Sequence, residues 1–244
     1  MSMPLAFFAK TETMELLFVW EKATLEAKAI ILILAVFSIF AWSVMAAKGM
    51  QMSRAKKMNA FFDDEFRNQK EVMSIYNRRI NVDGCPNFTV YQAGLQELEG
   101  RLKGRDGKPR ERLSLKSMEH VKRALERAVA QEALKLESGL ILLAIAVSGG
   151  PFLGLLGTVW GVMSTFSYVA MKGSADLPTM APGVAAALVT TVAGLLVAIP
   201  SMFGYNYLVH TLRVLTVGLD NFAQELASRI EIEFLKEDDE SSVQ

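Results

Sequence analysis

The chain has 244 residues, of which 51% are hydrophobic, and its 26 basic and 26 acidic side chains give a formal net charge of zero. The apolar content indicates membrane-spanning segments, and the zero net charge gives no electrostatic basis for nucleic-acid binding. A single cysteine, Cys85, excludes an intramolecular disulfide and a thiolate zinc cluster. The two histidines, His120 and His210, are too few for a histidine-rich metal site, so we expect no metal and no cofactor.

The N-terminal segment, residues 1–28, is predicted to be an interfacial helix on the periplasmic side. No basic region precedes an apolar core and a cleavage site, so no cleaved signal peptide is expected. Residues 11–26 have an amphipathic pattern with an apolar stripe and a threonine available as a cap. Trp20 suits a membrane interface, although an ordinary surface helix would show the same pattern.

Three long stretches lack acidic and basic residues, as bilayer-crossing helices require. The first, 29–47, has the length needed for a hydrocarbon core of about 30 Å. The second lies between Glu137 and Lys172, and the third lies between Asp176 and Arg213. We therefore predict an all-α membrane protein with transmembrane helices at 29–47, 138–171 and 182–209, the last two joined by a short periplasmic loop at 172–181.

The distribution of basic residues predicts the orientation. Of the 26 lysines and arginines, 19 fall between Lys48 and Lys135. By the positive-inside rule this loop is cytoplasmic, which places the N-terminus in the periplasm and the C-terminus in the cytoplasm.

The loop, 48–137, is predicted to be a cytoplasmic helical domain. A helix starting near Leu113, capped by Ser114 or Ser117, meets no breaker before Gly139, so we expect it to continue into the second span. The third span is expected to continue to about Leu235, giving a cytoplasmic helical bundle. Residues 210–244 then form a C-terminal helix and an acidic tail.

Small residues recur at helical spacing in the second and third spans. Such stripes allow helix backbones to approach closely inside lipid, where packing drives association. We therefore predict helix packing through Gly150, Gly154, Gly157 and Gly161 in the second span and through Gly183, Ala187 and Gly194 in the third. The prolines of these spans, which remove a backbone donor, are predicted to mark hinges or helix ends at Pro151, Pro182 and Pro200.

Hydroxyl side chains accompany these stripes, at Thr158, Thr165, Thr190 and Thr191. Threonine can bond back to the carbonyl four residues earlier, so simple satisfied membrane threonines are one interpretation. The other is a pore wall that passes protons along hydroxyls. Because neither span contains an acidic or basic residue, and intramembrane carboxylates usually carry the protons, the carboxylate of such a pore must come from another polypeptide.

Two motifs resemble the signatures of the TolQ/ExbB/MotA proton-channel family. One is Pro-Phe-Leu-Gly-Leu-Leu-Gly-Thr-Val-Trp-Gly-Val-Met-Ser-Thr-Phe at 151–166, and the other is Ala-Pro-Gly-Val-Ala-Ala-Ala-Leu-Val-Thr-Thr-Val-Ala-Gly-Leu-Leu-Val-Ala-Ile-Pro at 181–200, followed by Tyr205 and Asn206. Trp160 and the Asp-Asn-Phe segment at 220–222 favour the TolQ branch over the ExbB branch.

The resemblance implies a homopentamer in the bacterial inner membrane around a dimer of a single-pass, TolR- or ExbD-like partner. An aspartate on the partner's helix would carry the proton, and the family's pore threonines correspond to Thr158 and Thr191. The expected function is that of a channel-forming stator subunit that transmits the proton motive force to a periplasmic or outer-membrane process. One departure is Ala186, which stands where the family usually has a glutamate.

Three alternatives stay open from the sequence. The departure at Ala186 also suits a gliding-motility or other specialised motor of the same family. A passive membrane scaffold would need the small-residue stripes but not the threonines. Sodium could replace the proton, since threonine oxygens can contribute to a sodium site. An enzyme is not expected, because no nucleophile–base grouping or phosphate-binding loop is present in the sequence.

Overall fold

The computed structural model describes residues 24–79, 82–103, 112–174 and 176–235. The predicted amphipathic helix at 11–26 falls almost entirely outside the described residues, and so does the acidic tail from residue 236 onward. Within the described residues the chain forms helices α1 (Leu25–Arg67), α2 (Ser74–Asn77), α3 (Pro86–Leu102), α4 (Leu115–Glu137), α5 (Leu140–Lys172) and α6 (Leu177–Phe234).

The all-α fold with three candidate spans is confirmed. In the described ranges there is no β-strand, and Leu113 and Leu235 form an isolated bridge. Three helices, α1, α5 and α6, are long and apolar enough to cross a membrane. The described chain divides into two compact units, one made of residues 24–46 and 139–207 and the other of residues 47–138 and 208–235.

In the first unit, α1 packs on α5 and α6 through a small apolar cluster. Ile30, Leu34 and Val197 form its buried centre, and partly buried apolar side chains surround them. Gly204 of α6 lies against the side chain of Met45 of α1. At the start of α1 the Thr24 hydroxyl accepts a hydrogen bond from the Ala27 amide (3.3 Å), which caps the helix.

The second unit is built around an aromatic core. Phe62 and Phe66 of α1 meet Tyr91 of α3 and Phe222 of α6 with ring centroids 5.3–5.8 Å apart, mostly edge to face. The Tyr91 hydroxyl donates to the Val72 carbonyl (2.6 Å) and accepts from the Tyr76 amide (2.9 Å). One fully buried side chain thus satisfies two backbone groups, one in the turn that follows α1 and one in the short helix α2.

The end of α1 is held by Arg229 of α6. Its guanidinium lies 4.5 Å from the centroid of the Phe66 ring and donates to the Phe66 carbonyl (3.3 Å). The same carbonyl accepts from the Gln69 amide (3.2 Å), so Arg229 adds a second donor, and its cation complements the C-terminal end of the helix dipole.

The predicted continuous helix from Leu113 through the second span is wrong, because the chain breaks at Ser138 and Gly139. Helix α4 ends at Glu137 and α5 begins at Leu140, with Gly139 in the left-handed conformation (φ +85°) that glycine adopts without strain. The predicted cap at Ser114 is confirmed, since its hydroxyl accepts from the Ser117 amide (3.3 Å).

Side chains satisfy the carbonyls that the break leaves free. The Lys48 ammonium lies 3.3 Å from the carbonyl oxygens of Lys135 and Leu136 and 3.3 Å from the Ser138 hydroxyl. The Ser138 hydroxyl itself donates to the Lys135 carbonyl (2.8 Å). A cation at the C-terminus of α4 also complements the helix dipole, so the break is stabilised by contacts far apart in sequence.

The third span extends as predicted, since α6 continues to Phe234. Helix α5 ends at Lys172, because Gly173 is left-handed (φ +73°). Helix α6 begins at Leu177. The segment predicted as a loop, 172–181, therefore contains the first residues of α6.

Replacing Tyr91 with phenylalanine removes the hydroxyl that serves two buried backbone groups. We expect Tyr91→Phe to lower the free energy of unfolding by about 1–3 kcal/mol, the cost of leaving such groups unpaired. Thermal unfolding of the full chain in detergent measures the change. Tyr168→Phe, at an exposed tyrosine, is the control and should unfold like the unsubstituted protein; equal stability of the two variants would contradict the assignment.

Cys85, immediately before α3, is buried with 1% of its surface exposed, and its thiol donates to the Asn59 side-chain oxygen (3.5 Å). Burial is the main cause that raises the pKa of Cys85 to about 11. A thiol with this pKa is protonated at neutral pH and therefore unreactive.

We expect iodoacetamide at pH 8 to leave the folded protein unmodified, because roughly one thousandth of such a thiol is ionised there and the sulfur is covered. After unfolding in sodium dodecyl sulfate the single cysteine should take up one adduct. Intact mass spectrometry reads both states without ambiguity. Full labelling of the folded chain in the same time would show that Cys85 is accessible.

Candidate functional site

The glycines of α5 lie where its backbone touches that of α6. A methyl group on Gly150 would lie 3.0 Å from the Gly194 carbonyl oxygen, and one on Gly154 would lie 2.9 Å from the Thr190 carbonyl oxygen. Further along, a methyl group on Gly161 would lie 2.7 Å from the Ala187 methyl. Only residues without a larger side chain allow this approach.

Two threonines fill the space that glycines leave open on the facing helix. The Thr190 side chain of α6 lies against Gly157, and the Thr165 side chain of α5 lies against Gly183. Both threonines are buried, Thr190 completely. The contact is thus a sequence of glycine–backbone and glycine–threonine pairs.

The close approach brings three hydroxyls to one backbone carbonyl. The Gly154 oxygen lies 3.0 Å from the hydroxyl of Thr190, 3.2 Å from that of Thr191 and 3.2 Å from that of Thr158. The Ala187 oxygen lies 2.6 Å from the Thr190 hydroxyl and 3.2 Å from the Thr158 hydroxyl. We call these three threonines and two carbonyls the hydroxyl cluster.

Within the hydroxyl cluster, Thr158 and Thr191 hydrogen-bond directly to each other across the two helices. Each hydroxyl has one proton but two lone pairs, and Thr158 has three acceptors within reach. Its proton can therefore point to the Gly154 carbonyl, the Ala187 carbonyl or the Thr191 oxygen. The cluster can exchange its donors by rotating hydroxyls alone.

Burial divides the four predicted threonines. Thr158 and Thr191 are half-buried, whereas Thr190 and Thr165 are buried. The Thr165 hydroxyl donates to the Gly161 carbonyl (2.8 Å). Thr165 lies two helical turns from Thr158 and is not part of the hydroxyl cluster. Only Thr158 and Thr191 combine a shared hydrogen bond with side chains that are partly open to their surroundings.

The remaining predicted positions fall inside helices. Pro151 lies within α5, and Pro182 and Pro200 lie within α6, so these are not helix ends, and their role as hinges stays a prediction. Ala186 is buried, with 2% of its surface exposed, next to Ala187 of the hydroxyl cluster.

The sequence did not reveal the acceptors of the cluster. Thr190 was predicted as a pathway residue, whereas its hydroxyl bonds two backbone carbonyls in the interior of the contact. The signal for the Gly154 carbonyl was the spacing of four residues between Gly154 and Thr158, which allows back-bonding. The spacing of three residues between Ala187 and Thr190 allows back-bonding in the same way, whereas nothing in the sequence indicated that hydroxyls of the facing helix would also reach these two carbonyls.

The fold and the site together define a multi-pass helical membrane protein whose second and third spans pack through glycines around a threonine cluster. The profile of the MotA/TolQ/ExbB proton channel family matches residues 87–221, more than half of the chain. The chain belongs to this family, which confirms the resemblance of the two span motifs and supports an inner-membrane location.

Relatives from both named branches are similar to this chain. The Tol-Pal system protein TolQ of Pseudomonas aeruginosa is 34% identical over 187 residues, covering 75% of this chain and 78% of the relative. The TolQ of Haemophilus influenzae is 32% identical over 213 residues, covering 85% and 90%. The biopolymer transport protein ExbB of Pseudomonas putida is 34% identical over 189 residues, covering 77% of this chain and 54% of the relative.

Two neighbouring glycines of α5 allow a matched test of the helix contact. Gly154→Ala places a methyl 2.9 Å from backbone atoms of α6, which cannot yield locally, whereas a methyl at Gly149 is 4.0 Å from the Ile145 side chain. We expect Gly154→Ala to destabilise the protein by about 1–3 kcal/mol, as overpacking does. Gly149→Ala should be neutral or stabilising by up to about 1 kcal/mol, because alanine favours helices.

Thermal unfolding in detergent compares the two alanine variants. Equal stabilities would show that the α5–α6 backbones are not in contact at Gly154.

Proposed function

We propose that the chain is the channel-forming subunit of a complex in the bacterial inner membrane that is driven by the proton motive force. The complex would transmit the energy of the proton motive force to a process in the periplasm or the outer membrane. The observation that carries the proposal is the half-buried hydrogen-bonded pair of Thr158 and Thr191. The pair lies in two predicted spans, 138–171 and 182–209, that contain no acidic or basic residue, in a chain of a proton channel family.

The chemistry suits a carboxyl group supplied by a partner. A threonine hydroxyl donates to a carboxylate and accepts from a carboxylic acid, so the same side chain serves both protonation states. Since the hydroxyl of Thr158 has alternative acceptors, it can turn toward an incoming group without leaving a carbonyl unpaired: Gly154 retains Thr190 and Thr191 as donors. The pair would position the partner's acid and exchange hydrogen bonds with it as it titrates.

The partner and the stoichiometry of the proposal come from the family resemblance. A pentamer of this chain would enclose a dimer of a TolR- or ExbD-like single-pass protein whose helix carries one aspartate. The 19 basic residues between Lys48 and Lys135 support, by the positive-inside rule, an orientation with the loop in the cytoplasm and the N-terminus in the periplasm.

Two kinds of process are candidates. Relatives of similar identity are named for the Tol-Pal system and for biopolymer transport, so we propose one of these two roles for the energised complex. A specialised motor, such as one for gliding motility, is the second candidate, because Ala186 is buried beside the hydroxyl cluster where a glutamate is usual in the family. With an alanine at this place, the predicted spans 138–171 and 182–209 contain no acidic residue of their own.

Removing the two hydroxyls tests the proposal. We expect Thr158→Val and Thr191→Val each to preserve assembly, because valine has nearly the shape of threonine, and to reduce proton flux at least tenfold. The full chain would be co-expressed with a TolR- or ExbD-like single-pass protein and reconstituted into liposomes containing a pH-sensitive dye. A potassium gradient with valinomycin drives the flux.

Thr216→Val is the matched control, since the Thr216 hydroxyl donates to the Leu212 carbonyl (3.0 Å) in the second unit, outside the hydroxyl cluster. Unchanged flux in all three variants would exclude the two hydroxyls from the pathway, and absence of flux from the unsubstituted complex would support the passive scaffold. Flux that requires a sodium gradient and not a proton gradient would show that the channel conducts sodium.

A further inference from the structure

We propose that the second unit contains a binding site for the phosphate group of an anionic phospholipid. The site is a cleft of about 620 Å³ with walls from three segments. The first wall is the part of α1 from Ala47 to Ala55. The second is the turn before α3, with Gly84 and Cys85, together with the first residues of α3. The third is the end of α4, with Glu132, Lys135 and Leu136. This inference depends on the membrane location of the chain and not on proton conduction.

The cleft lies in the part of the chain that follows the first span directly. Ala47 is the last residue of the uncharged stretch, and Arg54 comes seven residues later, about 10 Å along a helix. The polar headgroup region of a bilayer is roughly 5–8 Å deep on each side. A long side chain at Arg54 can therefore reach lipid phosphates by extending toward the interface.

Through Lys48, the end of the first span contacts the residues at which the second span begins. Its ammonium contacts the carbonyls of Lys135 and Leu136 and the hydroxyl of Ser138, at the start of the uncharged stretch that follows Glu137. The two positions at which charge gives way to apolar sequence thus meet in one place, and the cleft lies beside them.

The charges of the cleft favour an anion. Arg54 and Lys135 line it, and Lys48 donates to Gln51, which also lines it (2.9 Å). The one carboxylate of the lining, Glu132, is 8% exposed and bonded to Lys135 at 2.5 Å, so its charge is already paired. Because Lys135 and Glu132 neutralise each other, Arg54 is the remaining charge of the lining, and Lys48 adds a second positive charge beside it through Gln51.

Arg54 keeps most of its hydrogen-bonding capacity. Its side chain crosses the turn at Gly84, and one guanidinium nitrogen lies 3.5 Å from the Asp83 carbonyl oxygen, a long contact. A guanidinium offers five N–H donors in a planar fork that fits phosphate oxygens. Met50, Ala47 and Leu136 provide apolar wall beside it, which suits a lipid and not a free phosphate ion.

Arg54→Gln tests the site, because it removes the charge and leaves the Glu132–Lys135 pair intact. The full chain, purified in a non-ionic detergent, is titrated with phosphatidylglycerol, with phosphatidylcholine and with inorganic phosphate, and native mass spectrometry measures bound lipid. We expect Arg54→Gln to weaken phosphatidylglycerol binding about fivefold, the effect of one basic residue near anionic lipid. Arg54→Lys keeps the charge but not the planar fork, so it should restore binding only in part.

Lys56→Gln is the matched control, because Lys56 is an exposed cation of the same helix that does not line the cleft. Binding within twofold of the unsubstituted protein is expected for this variant. Equal losses in Arg54→Gln and Lys56→Gln would overturn the proposal in favour of general surface charge.

Three other outcomes would also overturn it. The first is equal binding of phosphatidylcholine, and the second is displacement of phosphatidylglycerol by inorganic phosphate at the same concentration. The third is a change of oligomeric mass in Arg54→Gln without a change in bound lipid, which would show that the cleft is a contact with a second copy of the chain.

Discussion

The contact between the backbones of α5 and α6 is the constraint on which the candidate site depends. Where Gly154 faces Thr190 and Thr191, there is no room for a methyl group between the helices. Inside a membrane no hydrophobic effect drives two helices together, so dispersion contacts and hydrogen bonds must hold them. The same approach that gives these contacts also places the Gly154 carbonyl within reach of hydroxyls from both helices. Packing and polar chemistry therefore have a single geometric origin here.

The sequence predicted the parts of this arrangement that follow from periodicity. The length of the uncharged stretches predicted the three spans. The spacing of Gly150, Gly154 and Gly161 predicted the face of α5 that contacts α6. Adjacent residues of a helix point about 100° apart, and composition does not say whether Thr190 or Thr191 faces the neighbouring helix, so only the family resemblance singled out Thr191. Only the packed structure shows that Thr190 fills the space beside Gly157 while Thr191 meets Thr158.

The break between α4 and α5 was missed for a related reason. Glycine inside a helical pattern is tolerated often enough that Gly139 alone does not predict an end. What stabilises the end is the ammonium of Lys48, which is 87 residues away from Lys135 in sequence and satisfies carbonyls that a continued helix would have used. Long-range side-chain capping of this kind has no local sequence signature. The aromatic core around Tyr91 is similar, since it joins three helices that are far apart along the chain.

The hydroxyl cluster has a consequence for how its states could be observed. Thr158 can exchange acceptors by rotation about a single C–O bond, a motion of picoseconds to nanoseconds that displaces only a hydrogen atom. Two functional states of the cluster would then share every carbon, nitrogen and oxygen position. X-ray coordinates at ordinary resolution would be identical for both, because hydroxyl hydrogens are inferred and not seen. Such states are distinguished by methods that sense the hydrogen itself, such as neutron diffraction or the infrared frequency of an O–D bond.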